Sequence, residues 1–195
     1  MRTERPTRLA ILVGSTRRGR FASTVASWVA ARAGERGDVQ VDMIDLVEAG
    51  LPDVLPDDDW ELPEEVLSLG PWLDTADAFL VITPEYNHSF PAPLKTAIDW
   101  FHAEWAAKPV AFVSYGGIGG GLRAVEQLRQ VFAELHATTI RDVVSFHDYP
   151  DRFGPDGVPL DPRAGKALAA QLDQLSWWSD ALRTHRDRVP YATGS

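Results

Sequence analysis

The chain is expected to fold as an α/β three-layer sandwich, with a five-stranded parallel sheet in the order 2-1-3-4-5 between two layers of helices. Three observations predict it. Apolar runs such as Leu9–Val13 and Ala78–Ile82 are short and nearly continuous, as in strands buried on both faces of a sheet. Segments of helical periodicity separate these runs one by one, which implies right-handed crossovers between parallel strands. The loops after the first, third and fourth strands are rich in glycine, proline, hydroxyl and arginine residues, and the order 2-1-3-4-5 brings those loops together where the winding of the sheet reverses.

The first strand, 8–13, runs into Gly14-Ser15-Thr16-Arg17-Arg18-Gly19-Arg20-Phe21 and then a helix over 22–35 carrying Val25, Trp28 and Val29. Glycines permit a tight turn, Ser15 and Thr16 offer hydroxyls, and the helix turns its first N–H groups toward the loop. Three arginines within four residues add charge-assisted donors. No Gly-Lys-Ser/Thr follows, so this is not a P-loop, nor is it the dinucleotide Gly-x-Gly-x-x-Gly. It suits a terminal phosphate monoester. A strand over 39–45, an irregular stretch over 48–62 and a helix over 63–75 come next. Within the irregular stretch, Asp57-Asp58-Asp59 reads as a solvated loop.

The third strand, 78–83, ends in Pro84-Glu85-Tyr86-Asn87 and feeds a helix over 92–105, with Leu94, Ala97, Ile98 and Phe101 on one face. Pro84, Pro91 and Pro93 each fix φ, so the loop is rigid. It offers a flat aromatic, an amide and free backbone groups, a platform for a planar heterocycle. The fourth strand, 109–114, passes through Ser114 and Tyr115 into Gly116-Gly117-Ile118-Gly119-Gly120-Gly121. Five glycines in six residues let backbone N–H groups approach a ligand closely, although Leu122 stands where a nucleotide fingerprint would need its third glycine. Lys95 and Asp99, four apart, read as a surface ion pair on their helix. A helix over 122–135, a strand over 139–146 and a loop over 147–161 lead to the last helix, 162–186. Asp161-Pro162 marks its start, and Leu168, Leu172, Leu175, Trp178 and Leu182 form its apolar stripe.

A chain of 195 residues fits a single domain, 1–195, with a core of about 8–186. The net charge of −9 argues against a nucleic-acid or anionic-membrane partner and makes the arginine-rich loop a local exception. With no cysteine there is no disulfide, thiol nucleophile or thiolate metal site, and the five histidines show no metal-ligand spacing. The polar start, Met1–Thr7, lacks a signal-peptide core, and no apolar run approaches membrane-spanning length, so cytoplasmic residence is expected.

In order and spacing the motifs resemble the NADPH-dependent FMN reductase family of flavodoxin-like proteins, which includes azo-, quinone- and chromate-reducing members. The matching pieces are Gly14-Ser15-x-Arg17, then Pro84-Glu85-Tyr86-Asn87-x-Ser89 through Leu94-Lys95-x-Ala97-Ile98-Asp99, and Ser114-x-Gly116-Gly117, and the resemblance covers 8–185. Relatives commonly carry Ser or Thr where this chain has Arg20. The resemblance implies a flavodoxin-like fold with FMN as cofactor. Its phosphate would lie at Ser15, Arg17, Arg20 and Phe21, its ring edge at Pro84, Glu85, Tyr86 and Asn87, and its pyrimidine end near Ser114, Gly116 and Gly117. No catalytic side chain and no metal are expected, because the flavin N5 carries the hydride from NADPH or NADH to a small electron acceptor such as a flavin, quinone or azo compound. Relatives also imply a homodimer or homotetramer, packed through helices 92–105 and 122–135, where Trp100, Phe101, Trp105 and Phe132 cluster. The competing reading is a flavodoxin-type electron carrier with no substrate of its own.

Overall fold

A computed structural model describes residues 5–56 and 61–192, so the Asp57-Asp58-Asp59 loop and Met1–Glu4 lie outside the described residues. Strands β1 (Thr7–Val13), β2 (Val39–Asp45), β3 (Ala78–Pro84), β4 (Pro109–Gly116) and β5 (Thr138–His147) form one parallel sheet in the order β2-β1-β3-β4-β5. The helices are α1 (Ala22–Gly34), α2 (Leu46–Ala49), α3 (Glu64–Thr75), α4 (Ala92–Asp99), α5 (Leu122–Glu134) and α6 (Arg163–Arg186).

Successive side chains of a strand point to opposite faces, and here both faces are covered. Leu9, Ile11, Val13, Leu80 and Ile82 pack with Val25, Trp28, Leu168 and Leu172 of α1 and α6. Ala10, Leu12, Phe79 and Val81 pack with Leu73, Ile98, Leu128 and Phe132 of α3, α4 and α5. This double burial is why the strands read as unbroken apolar runs.

The helix expected over 92–105 stops at Asp99, and a 3₁₀ turn follows at Ala103–Trp105. Trp105 causes the break. Its ring is fully buried, and its indole N–H donates to the carbonyls of Phe101 (2.8 Å) and Ile98 (3.3 Å), satisfying groups that a helix end leaves open. Phe101 and Phe132 are likewise buried within this chain, and the Trp100 indole donates to Pro52 O (2.9 Å). The aromatic cluster expected to build a subunit interface therefore belongs largely to the chain's own core.

The stripe of α6 also departs from expectation. Leu168, Leu172 and Leu175 are buried, but the buried face then passes to Ser179 and Arg183, leaving Trp178 37% exposed. Buried Asp77 is the reason. It accepts from Arg183 (2.9 Å), from both Arg5 guanidinium nitrogens (2.7 and 2.9 Å) and from Arg8 N–H (2.9 Å). A buried carboxylate needs such partners, and α6 rotates a cation rather than a leucine toward it. Between the expected strand 39–45 and the stretch 48–62 read as irregular, and running into that stretch, lies the short α2, which Asp45 caps by accepting from Val47 N–H (3.1 Å).

Candidate cofactor site

The loop after β1 threads between β3 and α4. Gly14 N–H donates to Ile82 O (2.9 Å), and a Cβ at this position would lie 3.1 Å from both that oxygen and Leu94 Cδ2, so a side chain has no room. Arg20 N–H donates back to Arg17 O (3.1 Å), closing a turn just before α1 begins. No side chain caps α1, so its first N–H groups open onto the loop. Ser15 is buried. Arg17 and Arg18 are exposed and, among the described residues, pair with no carboxylate. Arg20 differs, because its guanidinium is ion-paired with Asp45 while its Nε is buried without a hydrogen-bond partner. The Phe21 ring packs against Tyr115, Tyr149 and Phe153 with centroids 5.0–6.1 Å apart, so it anchors the loop from below.

The loop after β3 folds into a two-residue hairpin. Tyr86 N–H donates to Ser89 O (2.8 Å), Ser89 N–H donates to Tyr86 O (3.0 Å), and the central Asn87 and His88 both have positive φ, 49° and 75°. Asparagine tolerates that conformation better than most residues, which suits Asn87 to its place. Gln127 of α5 holds the hairpin from outside. Its amide donates to His88 O (2.8 Å) and its side-chain oxygen accepts from Ser89 Oγ (2.5 Å). The Glu85 carboxylate bonds Arg123 at the start of α5. Tyr86 Oη lies 2.8 Å from Ser15 Oγ, and this bond joins the loop after β1 to the loop after β3.

The loop after β4 is shaped by close contacts. The Gly120 carbonyl accepts from both Ser114 Oγ and Ser145 Oγ, each at 2.8 Å. Gly120 and Gly121 have φ of +57° and +84°, and a Cβ on either would clash at 2.4–2.6 Å with Ser145 or Ser114. These two glycines therefore serve packing. Gly117 has neither constraint: nothing lies within 4 Å of where its Cβ would be. Tyr115, 1% exposed, points beneath the first loop, and its hydroxyl also lacks a hydrogen-bond partner.

The residues singled out in sequence thus fall at the carboxyl end of the sheet, in two roles. Ser15, Arg17, Arg20, Tyr86, Asn87 and the backbone at Pro84, Gly116 and Gly117 are placed at the loops themselves. The side chains of Phe21, Glu85 and Ser114 are committed to holding the loops in shape. Sequence reasoning passed over Gln127, Arg123, Asp45 and Tyr115 as site residues. Of these, only Tyr115 lay within a motif. The exposed guanidinium groups of Arg17 and Arg18 and the uncapped first N–H groups of α1 belong to the loop after β1, a donor set that fits a phosphate monoester such as that of FMN. Among the described residues no group of three or more His, Asp or Glu side chains stands close enough to hold a metal ion, and no helix is long and apolar enough to cross a membrane.

Known proteins resemble this chain. A probable NADPH:quinone oxidoreductase 2 from Oryza sativa subsp. japonica is 33% identical over 184 residues, covering 90% of this chain and 89% of the relative. An NAD(P)H-dependent FMN reductase from Schizosaccharomyces pombe is 34% identical over 132 residues, and that match spans 64% of each chain. Among solved structures, FerB, a flavoenzyme NAD(P)H:(acceptor) oxidoreductase from Paracoccus denitrificans, superposes with a TM-score of 0.74 at 27% identity, covering 90% of this chain and 98% of that one. Residues 7–151 match the family described as NADPH-dependent FMN reductase, and the chain belongs to that family.

Proposed function

We propose that this protein is an NAD(P)H-dependent, FMN-containing reductase that passes electrons to quinone-type or flavin acceptors. The observation that carries the reading is the 2.8 Å contact between Ser15 Oγ and Tyr86 Oη, which holds the arginine-rich loop and the Pro84–Asn87 platform at one site. Bound FMN supplies the redox chemistry, accepting hydride from the nicotinamide and reducing the acceptor. The residues supply the rest. Arg17, Arg20, Ser15 and the first N–H groups of α1 hold the phosphate. Tyr86 and Asn87 fix the plane of the ring, and the N–H groups at Gly116 and Gly117 stabilise negative charge that develops on its edge.

The relatives' quinone- and FMN-reductase names favour small planar acceptors over a protein partner. Ile118 (86% exposed) and Leu122 (40% exposed) leave an apolar rim beside the site, which supports a homodimer in which the second copy covers it. Cytoplasmic residence belongs to the same proposal, since NAD(P)H and FMN are available there.

Reconstitution with FMN, followed by anaerobic reduction with NADPH and with NADH and reoxidation by a benzoquinone, tests the activity. Failure to take up FMN at micromolar concentration rejects the reading. Rapid reduction by neither nicotinamide, together with an accumulating semiquinone on stepwise chemical reduction, would favour the electron carrier. Light scattering that gives a monomer at high concentration would remove the dimer.

A further inference from the structure

The amino end of the sheet, opposite the loops of the cofactor site, carries a second concentration of positive charge. A cavity of about 670 Å³ opens there, beside the residues that lead into β1, β3 and β4 and the last turn of α6. Five cationic side chains line it, Arg5, Arg8, Lys108, Arg183 and Arg186, against three carboxylates, in a chain whose net charge is −9. Three of the five are ion-paired: Arg5 and Arg183 with Asp77, and Arg8 with Asp42. Among the described residues, Lys108 and Arg186 have no carboxylate at ion-pair distance. Lys108 donates to the Leu73 and Asp74 carbonyls, and Arg186 gives one N–H to the Ala107 carbonyl, all uncharged acceptors. Arg186 is only half-buried, and none of its other donors is sealed off from solvent without a partner, so they stay open to the cavity. The two charges also act on each other. Burial first, and then the Arg186 charge, pushes the Lys108 ammonium down to about 8. Burial lowers Arg186 as well; Asp77 and Asp187 offset part of this, while Arg183 and Arg5 lower it further. Charges withdrawn from water are ordinarily paired, and two cations that share one cavity without a counter-ion make a place for an anion.

We infer that this cavity binds a doubly charged oxyanion of the phosphate type, free or as a monoester, with Arg186 as its hydrogen-bonding ligand and buried Lys108 supplying charge from the floor. A dianion offsets both cations at once, which a single carboxylate does not. The planar guanidinium of Arg186 suits two phosphate oxygens. Tyr191, half exposed on the rim, offers a flat face to the organic part of a monoester. The site lies apart from the flavin loops and does not rest on the FMN reading. The anion would join α6 to the segment before β4 and, through Lys108, to the end of α3, so its effect is on stability.

The test is calorimetric titration of inorganic phosphate and of phenyl phosphate into the protein saturated with FMN, at pH 7 and an ionic strength held constant with chloride. Excess FMN keeps the loop after β1 occupied. Wild type is expected to bind one phosphate per chain and to gain urea midpoint as it does so, because the anion binds only the folded state. Arg186→Gln, which keeps an amide donor for the Ala107 carbonyl, and Lys108→Met should each weaken that binding about tenfold or more, the loss of one charge-assisted contact. Arg163→Gln removes an equal charge from the first turn of α6 and should leave the binding unchanged. Should Lys108→Met fail to fold, Arg186→Gln decides alone. Phenyl phosphate that binds more tightly than inorganic phosphate assigns the site to a monoester, and weaker binding assigns it to the free ion. Phosphate held at the loop after β1 instead would be indifferent to both variants. Uptake that both variants retain in full, or no uptake by wild type, overturns the inference.

Discussion

Glu85 accepts a hydrogen bond from the Arg123 guanidinium (2.6 Å) and another from the Arg123 backbone N–H (3.3 Å), so one carboxylate ties the loop after β3 to the first turn of α5. The negative charge at a helix N-terminus is favourable, and one N–H left open by the helix gains an acceptor. Glu85 is 10% exposed at its side chain but Arg123 is 43% exposed, so the ion pair itself contributes little in water. The consequence is positional. Glu85→Gln retains an acceptor and should cost less than about 1 kcal/mol of stability. Glu85→Ala frees the loop from α5 and should weaken FMN binding several-fold more than Glu85→Gln. Titration of both variants with FMN checks the order, and identical affinities would mean that the loop is rigid without its tie.

The glycines after β4 separate packing from ligand approach. Gly121→Ala forces a Cβ to 2.6 Å from Ser114 Cβ and 2.9 Å from Tyr115 N, at a φ of +84°. Strain of this kind costs about 1–3 kcal/mol before the clash is counted. A clear drop in the urea midpoint is therefore expected. Gly117→Ala meets nothing within 4 Å and should leave the apo-protein's midpoint almost unchanged. If backbone at Gly117 meets the ring edge, that methyl will still weaken both FMN and riboflavin. Unaltered binding of both flavins by Gly117→Ala would take the ring edge away from Gly117.

At the opposite, amino end of the sheet, Lys108 Nζ donates to the carbonyls of Leu73 (2.9 Å) and Asp74 (2.7 Å) at the end of α3. Burial, and after it the charge of Arg186, pushes this ammonium down from the usual 10.5 to about 8. Between about pH 8 and 10.5 the unfolded chain then holds more protons at this group than the folded one, so the group's contribution rises with pH across that window. Below it, Lys108 is charged in both states and the full cost of burying the charge applies. The shift corresponds to roughly 3–3.5 kcal/mol. Urea titrations at pH 7 and pH 10 should show wild type gaining stability relative to Lys108→Met. A wild-type-minus-variant difference that does not change with pH would contradict the depressed pKa.

The fold was legible because each of its signals is local. An unbroken apolar run identifies a doubly covered strand, and the strict alternation of strands and helices determines the winding, so the sheet order followed from the chain alone. The Lys95–Asp99 pair was legible for the same reason, since four residues of helix bring its ends together (2.7 Å). What stayed hidden depends on contacts between distant residues. Nothing near Trp105 reveals that its indole will end α4, and nothing in α6 shows that Asp77, over a hundred residues earlier, will draw Arg183 inward. The site divides in the same way. Its loops were readable as motifs, but Glu85, Ser114 and Phe21 proved to brace them, and the bracing partners Gln127 and Arg123 lie on a helix whose sequence shows only an amphipathic pattern.

Arg17 provides the sharpest test of the phosphate loop, because it is exposed and, among the described residues, pairs with no carboxylate. Its removal therefore breaks no contact that holds the fold, and the melting temperature of the apo-protein should not move. A charge-assisted bond to the phosphate is worth about 1.5–3 kcal/mol, so Arg17→Ala should weaken FMN binding by roughly one to two decades. Riboflavin shares the ring and lacks the phosphate, and its affinity should hardly change. Inorganic phosphate should compete with FMN in wild type and much less in the variant. Because FMN binds only the folded state, the rise in melting temperature on adding it should shrink in parallel. Equal losses for the two flavins would make Arg17 a residue that shapes the loop. No loss for either would leave the phosphate to the α1 N–H groups and Arg20.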